Sequence, residues 1–351
     1  MPMPLTIRSL ASGGIITTYR CGSRCAHCLY DCGPHRRHAF IEPDEAARAA
    51  RTARSLGCSS LHVGGGEPFL NPENLREVLR ALRGEGVRLE YVETGACWAG
   101  REDAAADLLA ELRAAGLHSL LVSISPFHNE HVDFSRTRAV LSACERSGVR
   151  ALPWGAQFYG EIEALGEGRH SLAEYGARYG ADYLRAVPER FWVHMGGRAL
   201  ATYRPYMEHR PADEAAAASG PCTALADVSH FHFDLWGNYV PGLCAGLALR
   251  REDVGRPLER ERYPLLWLLW DEGVRGLLRA ARERGFAPEA EGYVSACDLC
   301  TACRRFLYAA GDFRELAPSG FYRSQGQGPG PSSGPLQSQA PYPLDSACEV
   351  Q

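Results

Sequence analysis

The chain has 351 residues, and its 45% hydrophobic and 23% charged residues are ordinary proportions for a globular protein that buries a core. These proportions exclude a wholly disordered or fibrous chain. A net charge of −4 gives the chain no overall attraction to nucleic acid or to an anionic membrane. The sequence contains no lysine, which excludes catalysis by a lysine Schiff base or a lysine general base.

Strands and helices alternate over residues 13–190. The sequence predicts strands that begin near residues 14, 60, 88, 119 and 149. It predicts helices over residues 44–56, 71–83, 102–115, 135–147 and 172–179, followed by a sixth strand near 183–187. This repetition indicates an α/β protein with parallel strands and helical crossovers, built either as a curved, partial barrel or as a doubly wound open sheet.

The pattern changes after about residue 195. Period-two alternation over residues 230–235, a Trp-Gly-Asn turn and the following Tyr-Val predict a β-hairpin, and one helix is predicted over 263–284. From residue 324 onward Ser, Gln, Gly and Pro dominate, which predicts disorder. We therefore expect a core of residues 1–200, a cysteine-rich α+β extension of residues 201–323 and a disordered tail of residues 324–351.

Thirteen cysteines are the most unusual feature of the composition. The N-terminus lacks the basic and apolar segments of a secretory signal, and no apolar run is long enough to cross a bilayer. We therefore expect a cytoplasmic protein with no membrane partner. In that compartment the cysteines would serve metal or redox chemistry and not disulfides.

Three cysteines follow the predicted first strand with CxxxCxxC spacing: Cys21, Cys25 and Cys28. A structural zinc site is closed by four ligands, whereas three thiolates on a 4Fe–4S cluster leave one iron open to a further ligand. The alternative is a zinc site that Cys32 or a histidine completes.

A glycine-rich segment, Gly64-Gly65-Gly66-Glu67-Pro68, ends the predicted second strand. Glycine permits a positive φ and a close approach of the backbone to a ligand. The segment lacks the lysine and the spacing of a Walker phosphate-binding loop. Taken alone, it is equally typical of a structural turn.

The two motifs together resemble those of the radical S-adenosylmethionine (SAM) enzymes. The resemblance implies that Cys21, Cys25 and Cys28 ligate a 4Fe–4S cluster and that residues 64–68 contact SAM, at the top of a partial (βα)6 barrel. It implies that one electron, from a partner such as flavodoxin or ferredoxin, cleaves SAM to methionine and a 5′-deoxyadenosyl radical, which abstracts hydrogen from a substrate. Ser123 and Ser125 stand where relatives often carry polar groups that contact SAM, although the Asp that many relatives have nearby is absent.

Five further cysteines lie in the C-terminal region: Cys222, Cys244, Cys297, Cys300 and Cys303. Two that bracket the hairpin and two from the CxxCxxC segment can close a four-cysteine site for zinc or for 4Fe–4S. The region resembles the SPASM/twitch extensions of radical SAM enzymes, which bind auxiliary 4Fe–4S clusters. A full SPASM domain has seven ligands, so five candidates imply one auxiliary cluster. We expect the first four cysteines to bind it, with Cys303 as an alternate for one of the last two.

The expected function is that of a radical SAM enzyme with one auxiliary cluster, and we favour a peptide as its substrate. A small metabolite is the alternative substrate. A zinc-stabilised binding protein is the alternative of a different class, although the negative charge speaks against nucleic acid as its partner. A thiol oxidoreductase is less favoured because the CxxC is not followed by a thioredoxin-like βαβ pattern.

Overall fold

The computed structural model describes residues 5–311 and 313–324 of the chain, so the predicted tail from residue 325 onward lies outside the described residues. The strands are β1 (Gly13–Thr18), β2 (Ser60–Gly65), β3 (Arg88–Thr94), β4 (Ser119–Ser123), β5 (Arg150–Trp154), β6 (Phe231–Asp234), β7 (Asn238–Val240) and β8 (Leu249–Arg250). They form one eight-stranded sheet in the order β5-β4-β3-β2-β1-β6-β7-β8.

Helices of the first half of the chain are α1 (Pro43–Ser55), α2 (Pro72–Gly84), α3 (Glu102–Ala115), α4 (Pro126–Asn129), α5 (Phe134–Ser147), α6 (Tyr159–Leu165), α7 (Leu172–Tyr179) and α8 (Tyr183–Arg190). Those of the second half are α9 (Gly197–Tyr203), α10 (Ala212–Ala217), α11 (Pro264–Glu272), α12 (Val274–Arg282), α13 (Ala296–Ala310) and α14 (Ser319–Ser324). Among the helices described, none combines the length and the apolar character that a membrane span requires.

The order of the parallel strands decides between the two predicted architectures. Strands β1 to β5 are parallel and lie side by side in chain order, each pair joined by a helical crossover. In a doubly wound sheet, later strands are added on the other side of the first strand, so the strand order reverses at a switch point. The order of β1 to β5 shows no such reversal. The prediction of an α/β fold with the parallel sheet of a partial barrel is therefore confirmed.

The sixth parallel strand is not the one predicted. Residues Tyr183–Arg190 form helix α8, so the prediction of a strand near 183–187 is wrong. Leu, Arg and Ala in this segment favour helix, and its buried residues Tyr183 and Val187 lie four apart on one helix face. The sixth parallel strand is β6, the first strand of the predicted hairpin, and it pairs with β1 instead of β5.

The helix predicted over residues 263–284 is interrupted. It forms α11 and α12, and Gly273 stands between them with φ of +67°. A Cβ at Gly273 would lie 2.1 Å from the carbonyl oxygen of Gly220, so only glycine fits this corner.

The two faces of the sheet have different roles. Val92, Leu120 and Val122 are fully buried, and they belong to the same core as the apolar residues of the helices. Because successive side chains of a strand point to opposite faces, Glu93 and Ser123 point the other way. The helix layer therefore buries one face of the sheet, while polar side chains gather on the opposite one.

Candidate cofactor site

A cavity of about 340 Å³ lies on the polar face, where the strands β1 to β5 end. Its wall includes the thiols of the loop that follows β1, two glycines at the end of β2 and polar residues from the ends of β3 and β4: Cys21, Cys25, Cys28, Cys32, Gly65, Gly66, Glu93, Thr94 and Ser123. The carboxyl ends of parallel strands thus bring both sequence motifs to one place.

The cysteine loop is held in shape by its own backbone. The N–H of Cys28 donates to the carbonyl of Cys25 over 3.1 Å, and the N–H of Cys21 donates to the carbonyl of Gly33 over 3.4 Å. Two backbone N–H groups also approach sulfur, from Ser23 to the Sγ of Cys21 at 3.4 Å and from Cys32 to the Sγ of Cys28 at 3.3 Å. Such donors stabilise thiolates over thiols.

Burial and neighbouring thiols set the acidity of these cysteines. Burial raises the pKa of Cys21 to about 12 and that of Cys25 well above its ordinary value. A hydrogen bond from the Cys32 thiol lowers the pKa of Cys28 to about 6. Cys21 and Cys25 therefore become thiolates only when a cation replaces their protons, which is the behaviour of metal ligands.

Three thiols on one loop are a donor set that both zinc and iron–sulfur clusters accept. Within the described part of the chain, the one set of three potential ligand atoms that lies mutually within 4.8 Å contains no cysteine.

The wall of the cavity contains two buried polar atoms that a ligand could contact. The Nδ1 of His27 and the Oγ of Ser23 are buried without a hydrogen-bond partner in the described structure. Buried polar groups are normally satisfied, so a ligand in this cavity would complete them. The donor set and these orphaned atoms together fit a cluster with a polar ligand beside it.

Arg198, which the sequence did not indicate as a site residue, binds the cysteine loop through several hydrogen bonds. Its backbone N–H, from the first turn of α9, donates to the carbonyl of Cys28 at 3.0 Å. Its guanidinium donates to the carbonyls of Cys25 and Cys32, at 2.9 and 2.7 Å, and pairs with Asp31. The side chain therefore fixes the shape of the loop and places a positive charge beside the thiols.

Glycine is required where β2 meets this loop. The N–H of Gly66 donates to the carbonyl of Thr18 at 2.6 Å, and a Cβ at Gly66 would lie 1.9 Å from the carbonyl oxygen of Arg20. Gly65 has φ of +121°. Both glycines line the cavity, whereas Gly64 does not, and a Cβ at Gly64 would lie 2.2 Å from the Oε2 of Glu93.

Glu67 and Pro68 do not line the cavity. The carboxylate of Glu67 is fully buried and accepts hydrogen bonds from the Thr94 hydroxyl at 3.0 Å and from the Gly95 N–H at 2.9 Å. Its side chain thus ties the ends of β2 and β3 together, and this fixes the path of the glycines before it.

The two candidate serines differ in position. Ser123 lines the cavity, whereas Ser125 is buried and does not. The Oγ of Ser125 hydrogen-bonds to the Nδ1 of His128 at 2.7 Å, and His128 lines the cavity. Ser125 can therefore act on a ligand only by orienting His128.

Four of the five C-terminal cysteines form a second group. Burial, together with the thiols of Cys222, Cys300 and Cys297, raises the pKa of Cys244 to about 12. Burial, followed by Cys300 and Cys297, likewise raises the pKa of Cys222. Each of these two thiols therefore lies within electrostatic reach of Cys300 and Cys297. Cys303 is fully buried, and burial followed by Cys300 raises its pKa; it lies further around helix α13 than Cys297 and Cys300.

A buried cation faces this second group. Arg304 is 5% exposed, donates to the carbonyl of Ala245 at 2.9 Å and forms no ion pair within the described structure. Tyr322, Cys300 and Cys244 raise the pKa of the Arg304 guanidinium, so ionised thiols of these cysteines would stabilise its charge. A buried charge is costly unless it is paired, so this arginine favours deprotonated, metal-bound cysteines.

Tyr30 lies between the two groups of cysteines. Burial raises its pKa well above the ordinary value, and the charges of Glu93, Cys32, Cys244 and Cys28 raise it further. Leu243, which precedes Cys244, lines the cavity. Leu243 and Tyr30 therefore connect the cavity wall with the surroundings of Cys244, although the C-terminal cysteines do not line the cavity themselves.

Glu93 gives the cavity a carboxyl group that holds its proton unusually well. Burial raises its pKa from 4.5 to about 7. Between these values the folded protein binds a proton that the unfolded chain has released, so this group lowers stability as the pH rises through this window. Above about pH 7 the Glu93 carboxyl group is ionised in both the folded and the unfolded state, so its effect on the free energy of unfolding no longer changes with pH.

We expect Glu93→Gln to remove this pH dependence. Relative to the parent protein, the free energy of unfolding of the variant should rise by on the order of 2 kcal/mol between pH 5 and pH 8. Urea denaturation under anaerobic conditions without SAM measures this difference. The exposed Glu73→Gln on α2 is the matched control, and its curve should run parallel to the parent curve. A parallel curve for Glu93→Gln would contradict the assignment.

Comparisons with known proteins agree with this geometry. Residues 15–147 match the model of the radical SAM superfamily. The PqqA peptide cyclase of Ruegeria pomeroyi is 28% identical over 157 residues, which are 42% of this chain and 39% of that protein. A GTP 3′,8-cyclase of Stenotrophomonas maltophilia is 31% identical over 115 residues, or 32% of this chain and 33% of that protein. The chain thus matches about a third to two fifths of the length of these relatives.

Solved structures show a looser likeness. BtrN in complex with AdoMet and 2-DOIA has a TM-score of 0.43 at 12% identity, over 77% of this chain and 91% of that one. Streptococcus suis SuiB bound to precursor peptide SuiA has a TM-score of 0.32 at 13% identity, over 81% and 68% of the two chains. Residues 15–147 thus match the radical SAM superfamily, and the cysteine and glycine motifs within this segment meet at one cavity.

Proposed function

We propose that this protein is a radical SAM enzyme that generates a 5′-deoxyadenosyl radical and abstracts hydrogen from a substrate held in the cavity. The observation that carries the proposal is the convergence of Cys21, Cys25 and Cys28 with Gly65 and Gly66 on one cavity wall. When bound to these thiols, a 4Fe–4S cluster supplies the electron for the reductive cleavage of SAM.

The chain's own residues provide binding, orientation and exclusion of water. The three cysteines hold the cluster, and the glycines allow the backbone of β2 to approach SAM with no side chain between them. Arg198 keeps the loop in shape, and His27 and Ser23 offer buried polar atoms to a ligand. We propose that a flavodoxin or a ferredoxin supplies the electron, and that the enzyme works in the reducing cytoplasm, since every described cysteine is free.

We propose that Cys222, Cys244, Cys297 and Cys300 bind an auxiliary 4Fe–4S cluster. In this division residues 1–200 carry the SAM chemistry and residues 201–323 carry the auxiliary site, as in SPASM/twitch extensions. The buried Arg304 supports a thiolate-rich site, and the position of Tyr30 beside both groups of cysteines supports a redox role over a structural zinc.

We propose a peptide as the substrate. The relative named PqqA peptide cyclase supports this choice. At the mouth of the cavity Trp154 is 46% and Trp192 is 63% exposed. Exposed large aromatic side chains at the edge of a cavity are typical of surfaces that bind another chain. The GTP 3′,8-cyclase relatives support the alternative, a small metabolite.

The iron content tests the central proposal. Anaerobically reconstituted protein should contain about eight irons per chain, and the variant with Cys21, Cys25 and Cys28 replaced by Ala should contain about four and cleave no SAM. Iron analysis and chromatography of 5′-deoxyadenosine after reduction with dithionite measure both. The control is Cys58→Ala combined with Cys144→Ala, two buried cysteines outside both groups, which should keep eight irons. A colourless, zinc-loaded parent protein would overturn the enzyme proposal.

Single substitutions test the choice of auxiliary ligands. Replacing Cys222, Cys244, Cys297 or Cys300 by Ala should lower the iron content from about eight to about four per chain while SAM cleavage by the first cluster persists. Cys303→Ala should keep all eight, because Cys303 lies further around helix α13 than Cys297 and Cys300. Loss of iron in Cys303→Ala, with full retention in Cys300→Ala, would assign Cys303 as the ligand instead.

Isotope transfer tests the class of substrate. Extracts of the source cells grown in deuterated medium are divided by size into a peptide fraction and a metabolite fraction. The peptide fraction should transfer deuterium to 5′-deoxyadenosine, as mass spectrometry would detect, and lose this ability after protease treatment. Transfer from the metabolite fraction alone would establish the alternative substrate class and leave the SAM chemistry intact.

A further inference from the structure

A group of three histidines lies on the polar face of the sheet, and none of the three belongs to either cysteine motif. His62 of β2 and His232 of β6 are buried, and both stand in register with Gly14 of the intervening strand β1. A Cβ at Gly14 would lie 2.3 Å from the Nε2 of His62. The absence of a side chain on β1 therefore lets the two imidazoles meet across it, with their Nε2 atoms 3.0 Å apart.

The third member is His230, which immediately precedes β6. One ring nitrogen from each of His62, His230 and His232 lies within 4.8 Å of the other two. His230 and His232 line the cavity that holds the cysteine loop. Within the described residues this is the one set of three potential ligand atoms that converges so closely.

The spacing suits a metal ion. Zinc binds imidazole nitrogen at about 2.0–2.1 Å, so two ligands of a tetrahedral site lie about 3.3 Å apart. The Nε2 atoms of His62 and His232 reach this value with a shift of a few tenths of an ångström. Three protein ligands leave the fourth position for a water or a substrate atom, as in catalytic zinc sites.

The remaining ring nitrogen of His232 is anchored as a metal ligand requires. The Nδ1 of His232 hydrogen-bonds to the Tyr30 hydroxyl at 2.8 Å, which leaves its Nε2 directed at His62. Such an outer partner holds an imidazole in the orientation and tautomer that binds metal.

A hydrogen-bonded histidine network without metal accounts for only part of this arrangement. It explains the contact of His62 with His232, in which one Nε2 donates to the other. It does not explain His230, whose ring contacts His62 and His232 at centroid distances of 5.4 and 4.9 Å but makes no hydrogen bond within the described structure. A shared ion gives all three nitrogens a partner.

We infer that His62, His230 and His232 form a site for a divalent transition-metal ion such as zinc, with its open position toward the cavity. An ion there would act as a Lewis acid on a carbonyl, carboxylate or hydroxyl oxygen of the molecule in the cavity. The inference does not depend on the proposed radical chemistry, because the histidines are neither cluster ligands nor part of the glycine motif.

Zinc binding by the cluster-loaded, full-length protein tests the inference. After anaerobic dialysis against zinc sulfate, we expect about one zinc per chain by mass spectrometry of the metals, with the iron content unchanged. Zinc K-edge X-ray absorption should show imidazole nitrogen at about 2.0–2.1 Å and no sulfur at about 2.3 Å. Sulfur ligation, or no retained zinc, would overturn the inference.

Variants assign the site to these residues. His230→Gln, at the half-buried edge of the cavity, should raise the dissociation constant for zinc more than about tenfold. The buried His62→Gln should do the same, and if it does not fold, His230→Gln decides alone. The control is His118→Gln, an exposed histidine that precedes β4, two strands away from β2, and it should bind zinc like the parent protein. Parent-like affinity in His230→Gln would refute the site.

Discussion

The architecture of the candidate site depends on a backbone contact between the end of β2 and the segment that leads from β1 into the cysteine loop. The N–H of Gly66 donates to the carbonyl of Thr18, and Gly66 lies too close to the carbonyl of Arg20 to accept any side chain. This contact joins the two motifs of the sequence, and the buried carboxylate of Glu67 secures it by bonding to the end of β3. A substitution at Gly66 would therefore disturb both the thiol loop and the glycine segment.

The second constraint is the division of the sheet into an apolar and a polar face. The helices α1, α2, α3 and α5 cover the face formed by residues such as Val92 and Leu120. The other face buries titratable groups instead, among them Glu93 and His62. Burial favours their neutral forms, so it raises the pKa of Glu93 to about 7 and lowers the pKa of His62 to about 3. Burial of polar groups reduces stability unless they find partners, so this face is where ligands are to be expected.

The sequence predicted the α/β class, the first five strands and the meeting of the two motifs, because these depend on local periodicity and on the rule that parallel strands end at one edge. It failed at Tyr183–Arg190, a helix predicted as a strand, because a short apolar run is compatible with either period. It also assigned β6 to an extension only, although this strand completes the parallel sheet beside β1. Strand order depends on contacts between distant parts of the chain, which the hydrophobic periodicity of one segment does not reveal.

The sequence by itself determined which chemistry the chain can attempt: thirteen cysteines in two spaced groups, a glycine motif and no lysine. Only the tertiary structure decided which groups meet. It brought Arg198 onto a loop some 170 residues earlier and assembled His62 with His230 and His232 across Gly14. The physical reason is that spacing along the chain governs contacts within one loop or helix, whereas contacts between strands depend on the register and the packing of the whole sheet.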